Sequence, residues 1–538
     1  MSCNCAWSPS DEDVRLAGST AAGSALHGIP ANTERKGLYV FSLTQLLTRL
    51  APHRASWSNH RLRPVVRFLF SIFLVLSVLA LIIGATASQT ASAAPPNSQF
   101  EVNITNNGAN STMGEPEIAQ NPRNPNELFM DWTTFSNPPG RPVPGVTFPC
   151  GGAISMDRGV TWHSAPMPLT SCADGIAAFT NDGTILAGGI NVTSTSFFPP
   201  ASPPSPPCPP NARPTFGLCL VAHGYDAIVR STDGGQTWSA PVKIMGTNDA
   251  ADGPFPFAPG SGNPSDTFDR PWLSVDRSTG VIYAASHNIV DHETFVTAST
   301  NDGQSFGTIY AADTAHPSNG LPSGTIAAAN GELGVAYTAA SVPGHTCPCA
   351  VFETTTDQGA TFTPHFVPLV GAAHVPRAFV AADPVGNDRF ALTVLDSAGT
   401  ENQVYTTTDN GQSWRGPATV GDAPPNPRFK PWLTYGPSGL LALVWRTQNS
   451  NGSYDVWAAT GRNEGANGPV FSSPVRVTSA SGTYPTTNPT GAGDDFSWVI
   501  ADNQSVHVGW GDSRNVSNGG GVQVFYSRIP LTTFKGQG

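Results

Sequence analysis

The sequence predicts an all-β chain folded as a β-propeller of four-stranded blades. Three observations carry this: an octapeptide that recurs five times, a strand-turn-strand unit that recurs seven times, and a composition that breaks helices. Of 538 residues only 12 % are charged, while Gly and Pro number 55 and 50, which favours short strands and turns over long helices. The 39 % hydrophobic content, with 12 Trp and 27 Phe, supplies a large core and excludes disorder or collagen-like repetition. With 27 Lys and Arg against 38 Asp and Glu the chain is formally −11, which argues against a nucleic-acid partner.

The octapeptides are SMDRGVTW from Ser155, STDGGQTW from Ser231, STNDGQSF from Ser299, TTDQGATF from Thr355 and TTDNGQSW from Thr407. Each has a hydroxyl residue, an acid or amide two places on, Gly two further, a second hydroxyl and a final Trp or Phe. The acid accepts hydrogen bonds from turn amides, Gly takes the left-handed conformation of a tight hairpin, and the aromatic tucks beneath the turn. The structural acids are read as Asp157, Asp233, Asp302, Asp357 and Asp409, with Asn301 beside Asp302 fitting the third copy. Starts lie 76, 68, 56 and 52 residues apart, a spacing for blades with variable loops.

Upstream lies the second repeat: EPEIAQNPRNPNELFMDW, GIAAFTNDGTILAGGIN, RPWLSVDRSTGVIYAASHN, GTIAAANGELGVAYTAAS, RAFVAADPVGNDRFALTVLD, KPWLTYGPSGLLALVWR and FSWVIADNQSVHVGWGD. Each reads as a strand, a polar turn and a second strand with alternating apolar residues. Five lead into an octapeptide; those from Lys430 and Phe496 have lost it. The last unit ends one strand short, and Phe100 to Thr105 is a lone strand before the first, so it is expected to complete the last blade and remove an exposed edge. Seven blades are counted; if one unit is an embellishment, the ring has six. Gly303-Gln304-Ser305-Phe306-Gly307 has the letters of a hydrolase nucleophile elbow, but it lies inside an octapeptide and is read as turn.

The octapeptides resemble the Asp-box, or bacterial neuraminidase (BNR) repeat, of sialidase-like β-propellers, over roughly residues 113–530. The motif is specific for fold and not for activity. The resemblance implies six blades, an Arg cluster that grips a carboxylate, a Tyr nucleophile activated by a Glu, and an Asp as acid and base. The Arg-Ile-Pro motif expected ahead of the first box is missing; Arg528-Ile529-Pro530 sits near the C-terminus and is read as coincidence.

Phe68 to Gly84 is uncharged and apolar, preceded by Arg54, Arg61, Arg63 and Arg67 and followed by a small-residue stretch containing Ala91-Ser92-Ala93. That is the grammar of export. The expected organisation is a disordered tail over 1–66, a signal peptide or transmembrane anchor over 67–94, and the propeller over 95–538. The product is secreted or cell-surface, anchored by residues 67–84 where uncleaved. Beyond residue 94 remain 19 basic and 34 acidic residues and six cysteines. Cys150 with Cys172, Cys208 with Cys219, and the local Cys347-Pro348-Cys349 are the disulfide candidates.

If the Asp box joins the third and fourth strands on one face, the loops before first strands and after second strands lie on the other. Those loops hold the ligand-binding candidates Arg270, Arg377, Arg446 and Arg514, and the catalytic candidates Asp131, Glu115 and Asp494. Tyr484 is the best-placed nucleophile, with no Glu marked as its partner. Cofactors are not expected; Asp249, Asp252, Asp266 and Asp269 could form a structural calcium site, though solvated turn acids fit their spacing better. His287 with His292 is an isolated pair, and no other metal motif occurs. The function read from this is an exported propeller that binds extracellular glycan or glycoprotein without catalysis, or acts as a scaffold. The alternative is an exo-acting sialidase or other glycoside hydrolase, so enzymatic activity stays open.

Overall fold

The computed structural model describes residues 99–536 except 106–110, 137–148, 199–212, 216–217, 249–252, 261–267, 289–292, 313–324, 371–377, 396–398, 421–427, 463–467, 484–496 and 516–520. Among the described residues no helix is long and apolar enough to cross a membrane; the apolar segment from Phe68 to Gly84 and the whole leader lie outside them.

After the short strand β1 (Phe100–Asn103), blade 1 comprises β2 (Ser111–Gln120), β3 (Leu128–Ser136), β4 (Cys150–Ser155) and β5 (His163–Ser164). Blade 2 comprises β6 (Ala173–Phe179), β7 (Ile185–Phe198), β8 (Arg213–Thr215), β9 (Leu218–Ser231) and β10 (Val242–Gly246), with β8 an appendage of β9. Blade 3 is β11 (Phe268–Val275), β12 (Ile282–Asn288), β13 (Glu293–Ser299) and β14 (Tyr310–Ala311). Blade 4 is β15 (Thr325–Ala329), β16 (Glu332–Ala339), β17 (Cys349–Thr355) and β18 (Thr363–Pro368). Blade 5 is β19 (Phe379–Ala382), β20 (Phe390–Leu395), β21 (Asn402–Thr407) and β22 (Arg415–Thr419). In blade 6, β23 (Arg428–Tyr435), β24 (Leu441–Gln448) and β25 (Ser453–Arg462) are followed by β26 (Val470–Phe471), β27 (Val475–Arg476) and β28 (Gly482–Thr483), all three pairing with β25. Blade 7 is β29 (Ser497–Ala501), β30 (Ser505–Asp512) and β31 (Gln523–Pro530), and its outer strand is β1.

The seven antiparallel blades form a ring, each first strand touching the next and β29 returning to β2. Closure is as the lone strand predicts, with Phe100 opposite Arg528 and Asn103 opposite Phe525. Around the axis, Trp272, Phe379, Trp432 and Trp498 of β11, β19, β23 and β29 pack together, with ring centroids 4.1 Å apart for Trp432 and Trp498 and 4.8 Å for Phe379 and Trp432. A cavity of about 160 Å³ lies between these first strands. The second strands β12, β16 and β30 are buried along their whole length. The expected alternation is therefore weaker than a one-sided sheet would show, because each blade is sandwiched between two neighbours and both its faces are core.

The Asp boxes join third and fourth strands in blades 1–5. In the first, Ser155 Oγ donates to Asp157 Oδ1 at 2.8 Å, Thr161 N donates to the same oxygen at 2.8 Å, and Gly159 N donates to Ser155 Oγ at 2.7 Å. These bonds favour the charged carboxylate and hold Asp157, Asp357 and Asp409 below the usual range, with Asp233 pulled down to about 2. The third box departs from expectation. Asn301, not Asp302, is the anchor: its Oδ1 accepts from Ser299 Oγ at 2.9 Å and from Ser305 N at 3.1 Å. Asp302 occupies the next position, where φ is +56°, in the left-handed turn shared with Arg158, Gly234, Gln358 and Asn410. Its carbonyl accepts from Arg230 Nε of blade 2 at 2.7 Å.

Cys150 is bonded to Cys172 and Cys347 to Cys349, with Cα atoms 4.9 and 4.3 Å apart. Cys208 lies outside the described residues, as does the side chain of Cys219.

Candidate functional site: a carboxyl floor across blades 1–3

The face away from the Asp boxes is shaped by bulges in first strands. β2 loses register between Gly114 and Glu117, β6 between Ala173 and Ile176, and β11 between Asp269 and Trp272. The residue inside each bulge is charged and left-handed: Glu115, Asp174 and Arg270 have φ of +55°, +47° and +53°. Proline or glycine follows each one, as Pro116, Gly175 and Pro271. Proline cannot donate to the ladder, and a bulge re-aims the side chain it carries.

These bulges gather acids from three blades. Glu117 and Asp131 are directly opposed on β2 and β3, and both are buried. Asp226 of β9 is fully buried, whereas Asp174 and Asp269 are half-buried. Arg270 N donates to Asp174 Oδ2 at 3.1 Å. Across β11 and β12, Asp269 stands opposite the buried His287. Neither carboxylate oxygen of Asp131 or of Asp226 has a hydrogen-bond partner among the described residues.

Burial and crowding set the electrostatics. Burial first, then the charge of Asp131, drives the Glu117 carboxyl well above its ordinary pKa. Asp131 is raised by burial, offset in part by the nearby backbone amides of Glu117 and of itself, neither of which is aligned to form a hydrogen bond with it. Asp174 is raised by burial and by Glu115 and Asp269, with Arg270 opposing. Asp226 is raised to about 7 by burial and by Asp269; the Ser286 hydroxyl nearby opposes this but donates its hydrogen bond to the Asp269 carbonyl at 3.1 Å. Neighbouring acids in a shielded place hold protons that exposed acids release, the environment from which general acids are made.

Of the four Arg candidates, the three that are described have separate partners. Arg270 belongs to the carboxyl floor. Arg446 is fully buried in blade 6, its Nε donating to Ser497 Oγ at 2.8 Å and its guanidinium 5.2 Å from the Tyr454 ring. Arg514 binds Asp512 and reaches Glu101 at 2.7 Å, and it lies 4.3 Å from the Phe525 ring; it ties the closing strand into blade 7. Arg377, Asp494 and Tyr484 lie outside the described residues, as do Asp249, Asp252, Asp266 and His292. Among the described residues no group of three or more His, Cys, Asp or Glu is arranged to hold a metal ion.

A Tyr–Glu pair does occur, though in the wall. Tyr337 Oη donates to Glu353 Oε1 at 2.6 Å, and burial raises Glu353 to about 7. Tyr337 is fully buried and packs with Val342, Cys349 and Val351, so its role is packing. Arg528 is likewise structural: it lies 4.6 Å from the Phe100 ring and donates to the Arg158 carbonyl at 3.1 Å. Asp174 and Asp226 were not singled out from the sequence as site residues. The signal for Asp174 was the charged residue before Pro or Gly at the head of each first strand; Asp226 had none.

The BNR/Asp-box repeat family model matches residues 229–240, the end of β9 and the box of blade 2. No curated protein matches the chain. Among solved structures, the chain is similar to a protein of unknown function from Dyadobacter fermentans, 14 % identical over 81 % of this chain and 99 % of that one, with a TM-score of 0.45. It is similar to the NanB sialidase of Streptococcus pneumoniae, 12 % identical over 84 % of this chain and 73 % of that one, with a TM-score of 0.40. The intramolecular trans-sialidase of Ruminococcus gnavus is 12 % identical over 79 % of this chain and 95 % of that one, with a TM-score of 0.38. By its repeat and its ring of blades, the chain resembles β-propellers built on BNR/Asp-box repeats.

Proposed function

We propose that the chain is an exported glycan-binding propeller whose ligand lies over the carboxyl floor of blades 1–3, opposite the Asp boxes. The observation that carries this reading is Asp131, fully buried with neither carboxylate oxygen bonded among the described residues. Buried polar atoms are normally satisfied, so an acid left without a partner beneath the bulges of two blades is suited to accept bonds from ligand hydroxyls. Export is supported by the two disulfides, which persist in oxidising compartments, and by the sequence of residues 67–94; the partner is then an extracellular glycan or glycoprotein. The test is binding of residues 95–538 to an immobilised glycan panel. Asp131→Asn should weaken capture about tenfold, the order of loss expected when a buried hydrogen-bonding partner is altered, and unchanged capture by that variant would remove the carboxyl floor from the reading.

A second reading, glycoside hydrolysis, is favoured by the raised carboxyls, because Asp131, Glu117 and Asp226 retain protons at a pH where a general acid needs them. Turnover of aryl glycosides that Asp131→Asn lowers by about 10²-fold or more would select this reading over binding alone.

A further inference from the structure

We propose that the ligand of this face carries an ammonium group, as in a glycan of de-N-acetylated amino sugars; this rests on the reading that the face binds glycan. The floor is strongly acidic. Blade 1 contributes Glu115 and Glu117 from β2 and Asp131 from β3; blade 2 contributes Asp174 from β6 and Asp226 from β9. Blade 3 adds Asp269, with Arg270 beside it on β11 and His287 on β12. Carboxylates crowded in a shielded place repel one another, and the crowd relieves this by taking up protons or by meeting a cation. An ammonium offers three donors on one positive charge, so it answers both the repulsion and the unfilled acceptors.

Independent of the acid count, the buried Asp131 carboxylate, without a hydrogen-bond partner among the described residues, faces the bulge of blade 2. A Cβ at Gly175 would sit 3.1 Å from Oδ1, Oδ2 and Cγ of that carboxylate alike, so the group lies face-on to a residue without a side chain. Gly175 belongs to the same bulge as Asp174. The unbonded carboxylate thus points from blade 1 at the bulge that carries Asp174, packed closely against the Gly175 backbone. An anionic sugar fits poorly here: it would face six acids against Arg270, while Arg446 and Arg514 are engaged in blades 6 and 7.

The proposal is tested by calorimetry of residues 95–538 with four probes: a glucosamine trimer, the N-acetylglucosamine trimer of the same linkage, sialyllactose and trilysine. The glucosamine trimer should bind about tenfold tighter than its acetylated counterpart, as expected for one charge-assisted bond. Its binding should release protons, seen as a heat that changes with buffer, because a cation lowers the pKa of the acids it meets. Gly175→Ala and Asp131→Asn should each weaken it, whereas Glu401→Gln, an exposed acid of blade 5, should not. Equal binding of the acetylated trimer would overturn the ammonium assignment and leave the glycan reading intact. Tighter binding of sialyllactose would do the same. Trilysine binding as well as the glucosamine trimer would mean that the floor reads charge and not sugar. Binding of none of the four would remove both readings.

Discussion

The indole of Trp238, from the Asp box of blade 2, meets the ring of Phe129 in blade 1 edge-on at 5.7 Å. The pattern repeats around the ring. Trp162 of blade 1 meets Tyr526 of blade 7 at 5.1 Å, and Trp414 of blade 5 meets Phe352 of blade 4 at 5.2 Å. Each of these boxes is therefore a staple to the preceding blade as well as a turn. The sequence suggested an aromatic tucked beneath its own hairpin; in the structure Trp162 and Trp414 donate Nε1 to their box glycine carbonyls at 3.0 Å while the rings reach across the seam.

Trp238→Ala should therefore loosen the seam between blades 1 and 2. Because Trp238 is only half-buried, the loss should be about 2–3 kcal/mol, below the range for a fully buried aromatic. Urea denaturation measures it, and ligand capture by the folded fraction should be unchanged. A variant that stayed fully stable and lost binding would place the ligand on the Asp-box face.

The fold was legible because its signals are local. A hydroxyl, an acid and a glycine at fixed spacing state a turn, and seven strand pairs with one stray strand state a closed ring. One error of a single position arose in the third box, where Asn301 and Asp302 both satisfy the pattern and only the bonds to Ser299 and Ser305 choose between them. The site was far less legible. Asp131, Asp174 and Asp226 come from separate strands, and nothing local to Asp226 marks it as lying near Asp269. Arg514 illustrates the same limit in reverse: its rim position suggested a ligand contact, but its partner Glu101 lies 413 residues away in sequence.

Arg514→Ala should destabilise without touching binding. The change leaves Asp512 buried without its ion-pair partner, a situation that costs about 3 kcal/mol. Thermal unfolding should fall while glycan capture stays at the wild-type level. Loss of capture in a variant of unchanged stability would return Arg514 to the ligand site.

The disulfides should differ in weight. Cys150 and Cys172 lie 22 residues apart and link β4 to the approach of β6, a loop whose closure restricts the unfolded chain by about 3 kcal/mol. Cys347 and Cys349 lie 2 apart, so their loss should cost about half as much on the same scaling. Denaturation of the paired Cys→Ser variants compares them; equal losses would mean that the shorter bridge acts through native-state packing at Tyr337 and Val342.

Asp226 makes stability depend on pH in a direction opposite to that of most acids. Its folded pKa, about 7, lies above the ordinary carboxyl value of 3.8. Between these values the native state holds a proton that the unfolded chain releases, so stability falls as pH rises from about 4 to about 7. Three pKa units correspond to at most about 4 kcal/mol. His507 contributes the reverse slope: burial holds its folded pKa below the ordinary 6.5 despite the facing Asp502, so its contribution is lost as pH falls below that value. Asp226→Asn should flatten the decline toward neutral pH and raise stability at pH 7. The same variant should leave the acid limb set by His507 in place. If urea midpoints of wild type and Asp226→Asn fall in parallel from pH 4 to pH 7, Asp226 is ionised in the native state and the carboxyl floor is less shielded than its burial indicates.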